Sequence, residues 1–223
     1  GKDNQNLNIY YEDTKISPKE MLEIIKNKEF SRFPENMAGA AREAYETLLH
    51  TGDGQLCDVI IDRAALDAIY AAGEAAKDSI IKEYAESVVA IADIKIAVRS
   101  QKTAKTIEFM KRAMAPCKSI NVDQLAKAAA AGMEAVTEYL SGTAYAEGGQ
   151  AIAESSSAFE RWCDNRMMQA MQPQKYESFS VGPLVAYVLA RENEIKTVRI
   201  ILSGKQNGFS EESIRERVRE MYV

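Results

Sequence analysis

Apolar residues between Gly182 and Lys205 recur at three-and-four spacing: Leu184, Val188, Ile195, Val198 and Leu202, with Val185 and Ile201 at the flanks. That period predicts one amphipathic helix of about six turns. Gly182-Pro183 opens it, because a proline in the first turn gives up an N–H that has no helical partner anyway. Ser203-Gly204 lies near its far end, and Gly208 closes the following linker. Glu192 and Arg199 interrupt the stripe, each three or four residues from its members. The period therefore places both toward the buried side, about 10 Å apart along the axis. Two readings follow: the charges snorkel or pair locally, or they pair with neighbouring helices and fix how those helices dock.

The same grammar runs through the rest of the chain. Ile16-Ser17-Pro18-Lys19-Glu20-Met21 predicts a helix start, with Ser17 as cap, Pro18 first inside, Glu20 completing a capping box and Ile16 stapled to Met21. Pro34 opens a second helix with Met37, Ala40, Ala41, Ala44, Tyr45, Leu48 and Leu49 on one face. His50 falls in its last turn and Gly52 just beyond. A turn at Asp53-Gly54, a short apolar run at Val59 to Ile61 and an alanine-rich helix from about Asp62 to Lys77 are expected next. A long helix from Ile80 to about Arg112 follows, ended by Pro116.

The pattern then restarts. Ile120, Asn121, Gln124 and Leu125 repeat staple, cap and box partner, and Phe209-Ser210 with Ile214 repeats them again, opening a last helix from Glu211 to about Met221. Asn121 follows Ser17 by 104 residues, Asp164-Asn165 follows Asp62-Arg63 by 102, and Glu194-Ile195-Lys196 follows Asp93-Ile94-Lys95 by 101. Order and near-constant offset predict a helical unit duplicated about every 100 residues. The expected fold is all-α, built of packed helical-bundle lobes. One lobe covers residues 15–117 and the second 118–223, with the C-terminal helix returning to close the assembly. Residues 1–14 read as a trimmed or disordered end.

Charge then narrows the function classes. With 28 basic against 33 acidic residues the net charge is −5, and a sequence-independent nucleic-acid binder needs a cationic field instead. The longest uncharged run in the hydrophobic part, Ser178 to Ala190, is 13 residues, short of the roughly 20 that span a bilayer. Nothing resembles a signal peptide. Cys57, Cys117 and Cys163 are an odd set without metal-ligand spacing, which fits a reducing cytosolic compartment.

Candidate chemistry is sparse. His50 is the single histidine, so neither a nucleophile–imidazole pair in a cleft nor a carboxylate di-iron bundle is predicted. Asp58 and Asp62 could share a helical face like half of a Mg²⁺-diphosphate site; the competing reading is a polar turn followed by a helix capped by Asp62. Gly148-Gly149-Gln150 matches a peptidyl-tRNA hydrolysis tripeptide, but three residues recur by chance, and a loop is expected there. No phosphate-binding glycine loop is present. No catalytic, cofactor or metal residues are assigned.

Binding surfaces are better represented. Lys95, Arg99 and Lys102 form a basic stripe on the long helix, with Lys196 and Lys205 in comparable places of the second block. A solvated face and a docking surface for an acidic helical partner are both consistent with it. Tyr187 and Tyr222 are candidate aromatic anchors.

The last forty residues carry a more specific signature. It comprises Gly182-Pro183, Tyr187, Glu192, Glu194-Ile195-Lys196, Arg199-Ile200-Ile201, Gly204-Lys205, Asn207-Gly208, Ser210, Ile214-Arg215 and the terminal Tyr-Val. Thr51-Gly52-Asp53, Asp58, Asp62-Arg63, Tyr84 and Asp93 to Arg99 add to it. From about residue 15 onward the chain resembles the C subunits of the A/V-type rotary ATPases, the counterparts of the eukaryotic d subunit. The resemblance implies a funnel of pseudo-symmetric helical lobes, of which two of three are present here and the first is absent. It further implies a non-catalytic, peripheral socket between the central-stalk subunits and the membrane rotor ring, transmitting torque for ATP-coupled H⁺ or Na⁺ transport. Packed helices with short, capped ends would suit that task. Lys95, Arg99, Lys102, Tyr187, Glu192, Glu194, Arg199 and Lys205 are then candidates for partner binding or lobe docking. The alternative is a free-standing helical adaptor outside any membrane complex.

Overall fold

The computed structural model describes residues 14–177 and 179–221. The expectation for residues 1–14 lies, apart from Thr14, outside them, as does Tyr222. Among the described residues all regular structure is helical, in eleven α-helices with two short 3-10 turns and no strand. The chain divides into two compact units, residues 1–65 and 66–223.

In the first unit, α1 (Pro18–Asn27) begins as expected, with Ser17 Oγ accepting from the Glu20 amide. A 3-10 turn at Phe30–Arg32 leads to α2 (Glu35–Thr51), which Gly52 ends in the left-handed region at φ 68°. Helix α3 (Gly54–Ala75) follows at once and contributes its first half here. Ile24, Phe30, Ala44 and Ile60 are buried, and the Phe30 and Tyr45 rings stand 5.4 Å apart. The separate apolar run and the helix start at Asp62 are thus corrected. Asp53 Oδ1 accepts from the Leu56 amide, so the cap lies nine residues earlier and Val59 to Ile61 are helical.

The second unit is built around α4 (Ser79–Lys102), which Asp78 caps by accepting from the Ile80 amide. From Tyr84 to Gln101 only Arg99 is exposed. Ala90, Ile91, Ile94, Ala97 and Val98 share one core with residues of α5 (Ile107–Ala113), α6 (Val122–Ala131), α7 (Met133–Ser141) and α9 (Ser156–Met171). Two carboxylates of α4 fix the connection that crosses it. Buried Asp93 accepts from the Ala115 amide at 2.9 Å, and Glu86 accepts from the Ser119 amide and hydroxyl at 2.7 and 2.6 Å. The long helix predicted to Arg112 breaks after Lys102. Ala104 takes φ 51°, and Thr106 caps α5 by accepting from the Phe109 amide. The apolar spacing continues through Ile107 and Met110, so periodicity alone carried no sign of the break.

Helix α8 (Ala146–Glu154) contains Gly148-Gly149-Gln150 in its interior, which corrects the expected loop. Both glycines are there for close approach. A Cβ on Gly148 would lie 2.5 Å from the Trp162 ring of α9, and one on Gly149 3.1 Å from Thr137 of α7. Asn121 and Ser210 cap α6 and α11 (Glu211–Arg217) as the sequence indicates, accepting from the Gln124 and Ser213 amides. Helix α11 stops four residues before the predicted Met221, and Val218 is extended.

Gly148→Ala should lower stability by about 1–3 kcal/mol, because neither the ring nor the backbone can yield freely. Gly39→Ala, on the open side of α2 with nothing near its Cβ, should raise it by about 0.4–1 kcal/mol. Urea unfolding of the two variants against wild type checks both signs.

Candidate docking site

Helix α10 (Gly182–Gln206) is the long C-terminal helix the sequence predicts, but it is turned the other way. Leu184, Val188, Ile195, Val198 and Leu202 are 48–69% exposed. The buried positions are Gly182, Ala186, Asn193, Thr197 and Gly204. Glu192 and Arg199 are accordingly on the surface rather than leaning inward. The reason is contact distance. A Cβ on Gly204 would meet Ile214 Cγ1 of α11 at 2.6 Å, so α11 sits where any larger residue would exclude it. Gly204 is small for that reason, and Ala186, Asn193 and Thr197 continue the inner face.

The stretch after α11 is held against the same face by side-chain amides. Buried Asn165 of α9 accepts from the Glu220 amide at 3.0 Å, and buried Asn193 of α10 donates to the Glu220 carbonyl at 2.7 Å. The two side-chain amides hold Glu220 from both sides and replace the helical bonds that would have continued α11.

Around them, α9 presents Glu160 and Asp164, four apart and hence on one face. Glu160 receives Lys95 at 3.2 Å and Arg99 at 3.3 Å from α4. Asp164 receives Lys196 of α10 at 2.8 Å and Arg219 at 2.7 Å. Lys102 donates to Ser156 Oγ at 2.7 Å. The basic stripe Lys95, Arg99 and Lys102 therefore lies along α9. Burial by itself would raise both carboxyls, but hydrogen bonds and charge from Lys95 and Arg99 on Glu160, and from Lys196 and Arg219 on Asp164, hold each below its ordinary value.

The remaining predicted residues do not join this junction as a group. Tyr187 is 63% exposed beside the apolar stripe. Glu194 pairs with Arg191 one turn away. Arg199 borders the cleft next to Glu160, and Lys205 lies beside α11 with Glu211 and Arg215. Glu160, Asp164, Asn165, Asn193 and Arg219 are the members that sequence reasoning did not single out as site residues. The signal available was an amide and a threonine, Asn193 and Thr197, four apart on a helix otherwise offering aliphatic residues for burial.

Chemically the junction consists of ion pairs and side-chain amide hydrogen bonds. Burial pushes the Cys163 thiol up to about 12 and the Cys117 thiol to about 11, so neither carries a thiolate near neutrality. His50 is exposed in the last turn of α2. Asp58 and Asp62 are both exposed on α3, which overturns the Mg²⁺-diphosphate reading. Among the described residues no group of three or more His, Cys, Asp or Glu side chains could hold a metal ion. None of the described helices is long and apolar enough to cross a membrane.

An all-helical body of capped, closely approached helices, tied at its C-terminus by side-chain amides and ion pairs, is the class these features define. The chain belongs to the ATP synthase (C/AC39) subunit family, whose profile matches residues 1–217. It is similar to the C subunit of the V-type sodium ATPase of Enterococcus hirae, 26% identical over 98% of this chain and 68% of that protein. The C subunit of the A-type ATP synthase of Methanocaldococcus jannaschii is 24% identical over 64% of this chain and 38% of its own length. That of Haloquadratum walsbyi is 34% identical over 29% of this chain and 19% of its own. No solved structure matches.

The linkage to pH follows from the two depressed carboxyls. Their contribution to stability is complete above the unfolded values, about 3.9 for Asp and 4.3 for Glu, and is lost as pH falls through the lower folded values. The urea midpoint should therefore drop on acidification from about pH 5 to about pH 3. The Glu160→Gln/Asp164→Asn double variant should show a shallower drop over the same range; an equally steep one would exclude these pairs as its source.

Proposed function

We propose that the chain is a non-catalytic central-rotor subunit of an A/V-type rotary ATPase, a socket that links the central stalk to the membrane ring and transmits torque for ATP-coupled H⁺ or Na⁺ transport. Family membership supports the setting, and the outer face of α10 is the observation that carries the role. Leu184, Val188, Arg191, Ile195, Val198 and Leu202 alternate steps of four and three, the seam spacing of a coiled coil. The helix runs for 25 residues, or about 37 Å. Such a row of half-exposed aliphatic side chains fits one long amphipathic helix laid along it, and a stalk helix is the occupant on this reading. Tyr187 would anchor its edge, with Glu192, Glu194 and Arg199 flanking the seam and Lys205 at its end.

Residues 15–117 and 118–223 would then be two pseudo-equivalent lobes, with Lys95 and Lys196 as corresponding cations that both reach α9. A body that carries torque must not yield at its joints. Close approaches at Gly148, Gly149 and Gly204, and Glu220 held from two helices, are joints of that kind.

Affinity capture of the native protein from membranes should recover rotor subunits of an ATPase complex, whereas an adaptor outside any complex would remain in the soluble fraction without them. Val188→Glu/Val198→Glu should weaken stalk-subunit binding at least about 10-fold while leaving the helical circular dichroism and urea midpoint unchanged. Undiminished binding would remove the α10 seam from the interface.

A further inference from the structure

Between α9, α10 and the C-terminal segment lies a cleft of about 470 Å³. Five cations line it: Lys95, Lys196, Arg199, Arg217 and Arg219. Only two carboxylates, Glu160 and Asp164, stand against them. Both carboxylates are already paired with other cations. Asp164 is already bound by Lys196 and Arg219, one on each oxygen. Glu160 is bound by Lys95 on one oxygen and, on the other, by Arg99, which is not part of the cleft wall. Arg199 and Arg217 are thus left with no carboxylate partner among the described residues.

Arg217 makes the imbalance more than a surface excess of charge. Its guanidinium lies over the Phe209 ring at 5.5 Å, while its Nη1 is buried and makes no hydrogen bond among the described residues. A buried guanidinium N–H without an acceptor loses its hydration and gains nothing in return. Arg219 cannot relieve it, because it is itself a cation, committed to Asp164 and to the Arg217 carbonyl. What Arg199 and Arg217 lack is a negatively charged acceptor of their own, because the two carboxylates of the wall pair with other cations.

We propose that this cleft binds a phosphate group, held by Arg199 and Arg217 with Lys196 and the Ser203 hydroxyl at its margin. A tetrahedral oxyanion presents acceptors in several directions at once, which suits donors arriving from α10 on one side and from the end of α11 on the other. Guanidinium groups match its oxygens in pairs. A neutral ligand would leave the excess charge of the cleft standing. The group could belong to free phosphate or to an anionic lipid headgroup, and the chemistry at the cleft is the same for both. Phosphate binding here does not depend on the rotary role; it rests on the charge balance of the cleft.

The full chain, titrated with inorganic phosphate and with pyrophosphate by calorimetry, is compared with sodium chloride at matched ionic strength. Saturable binding with Kd below about 1 mM is expected, with a rise in melting temperature that chloride does not reproduce. Arg199→Gln, on the exposed rim, should weaken binding at least 10-fold without altering the melting temperature of the unliganded protein. Arg217→Gln should weaken binding by a similar factor, and Lys127→Gln, on the outside of α6, should have no effect. Flotation with vesicles of phosphatidylglycerol against phosphatidylcholine separates the sources. Arg199-dependent capture by the anionic vesicles assigns a headgroup, and phosphate binding without capture assigns a soluble phosphate. If neither probe binds, or if binding survives both arginine substitutions unchanged, the proposal is overturned.

Discussion

The enclosure of α4 is the constraint on which the second unit depends. A helix with one exposed residue between Tyr84 and Gln101 must be covered from several sides, and α5, α6, α7 and α9 all supply apolar residues to that cover. Burial of this kind supplies the main driving force, at roughly 25 cal/mol per Å² of apolar surface. It also brings polar groups of α4 into the interior, where they must find partners. Asp93 and Glu86 find them in the backbone of the crossing connection. The same two carboxylates that would be liabilities in a bare core thereby fix the path of the chain from α5 to α6.

Helix α9 transmits that arrangement to the C-terminus. On one side it packs against α4 and pairs Glu160 with Lys95 and Arg99; on the other it meets α10 and the final segment through Asp164 and Asn165. These contacts differ in weight. Exposed pairs such as Arg99 with Glu160 contribute at most about 1 kcal/mol. Arg219 with Asp164 is largely withdrawn from solvent, so breaking it leaves an uncompensated charge. The Asn165 and Asn193 amides carry specificity, since only a residue in one register can give a donor to one and an acceptor to the other. Charge and hydrogen bonding choose where the chain ends lie, while apolar burial holds the body together.

The outer seam of α10 gains its meaning from this inner order. Because the inward face is given to Ala186, Asn193, Thr197 and Gly204, the aliphatic row is left facing away from the bundle. An apolar row of that length on a member of the ATP synthase (C/AC39) subunit family is a surface suited to another helix. Behind it the helices approach closely at Gly148, Gly149 and Gly204.

What the sequence determined by itself was local. Caps at Ser17, Asn121 and Ser210, the stop at Gly52 and the all-helical class follow from interactions within a few residues, and those are legible without a partner. The family, too, was readable from the C-terminal signature. Tertiary structure decided which way α10 faces, where α4 ends, and why Gly148 and Gly149 sit inside a helix. The first and last of these rest on contacts distant in sequence: Ile214 against Gly204, Glu220 between two asparagines, Trp162 over Gly148. Periodicity reports that a helix has two faces; only the size and hydrogen-bonding needs of what comes to rest on it determine which one is buried.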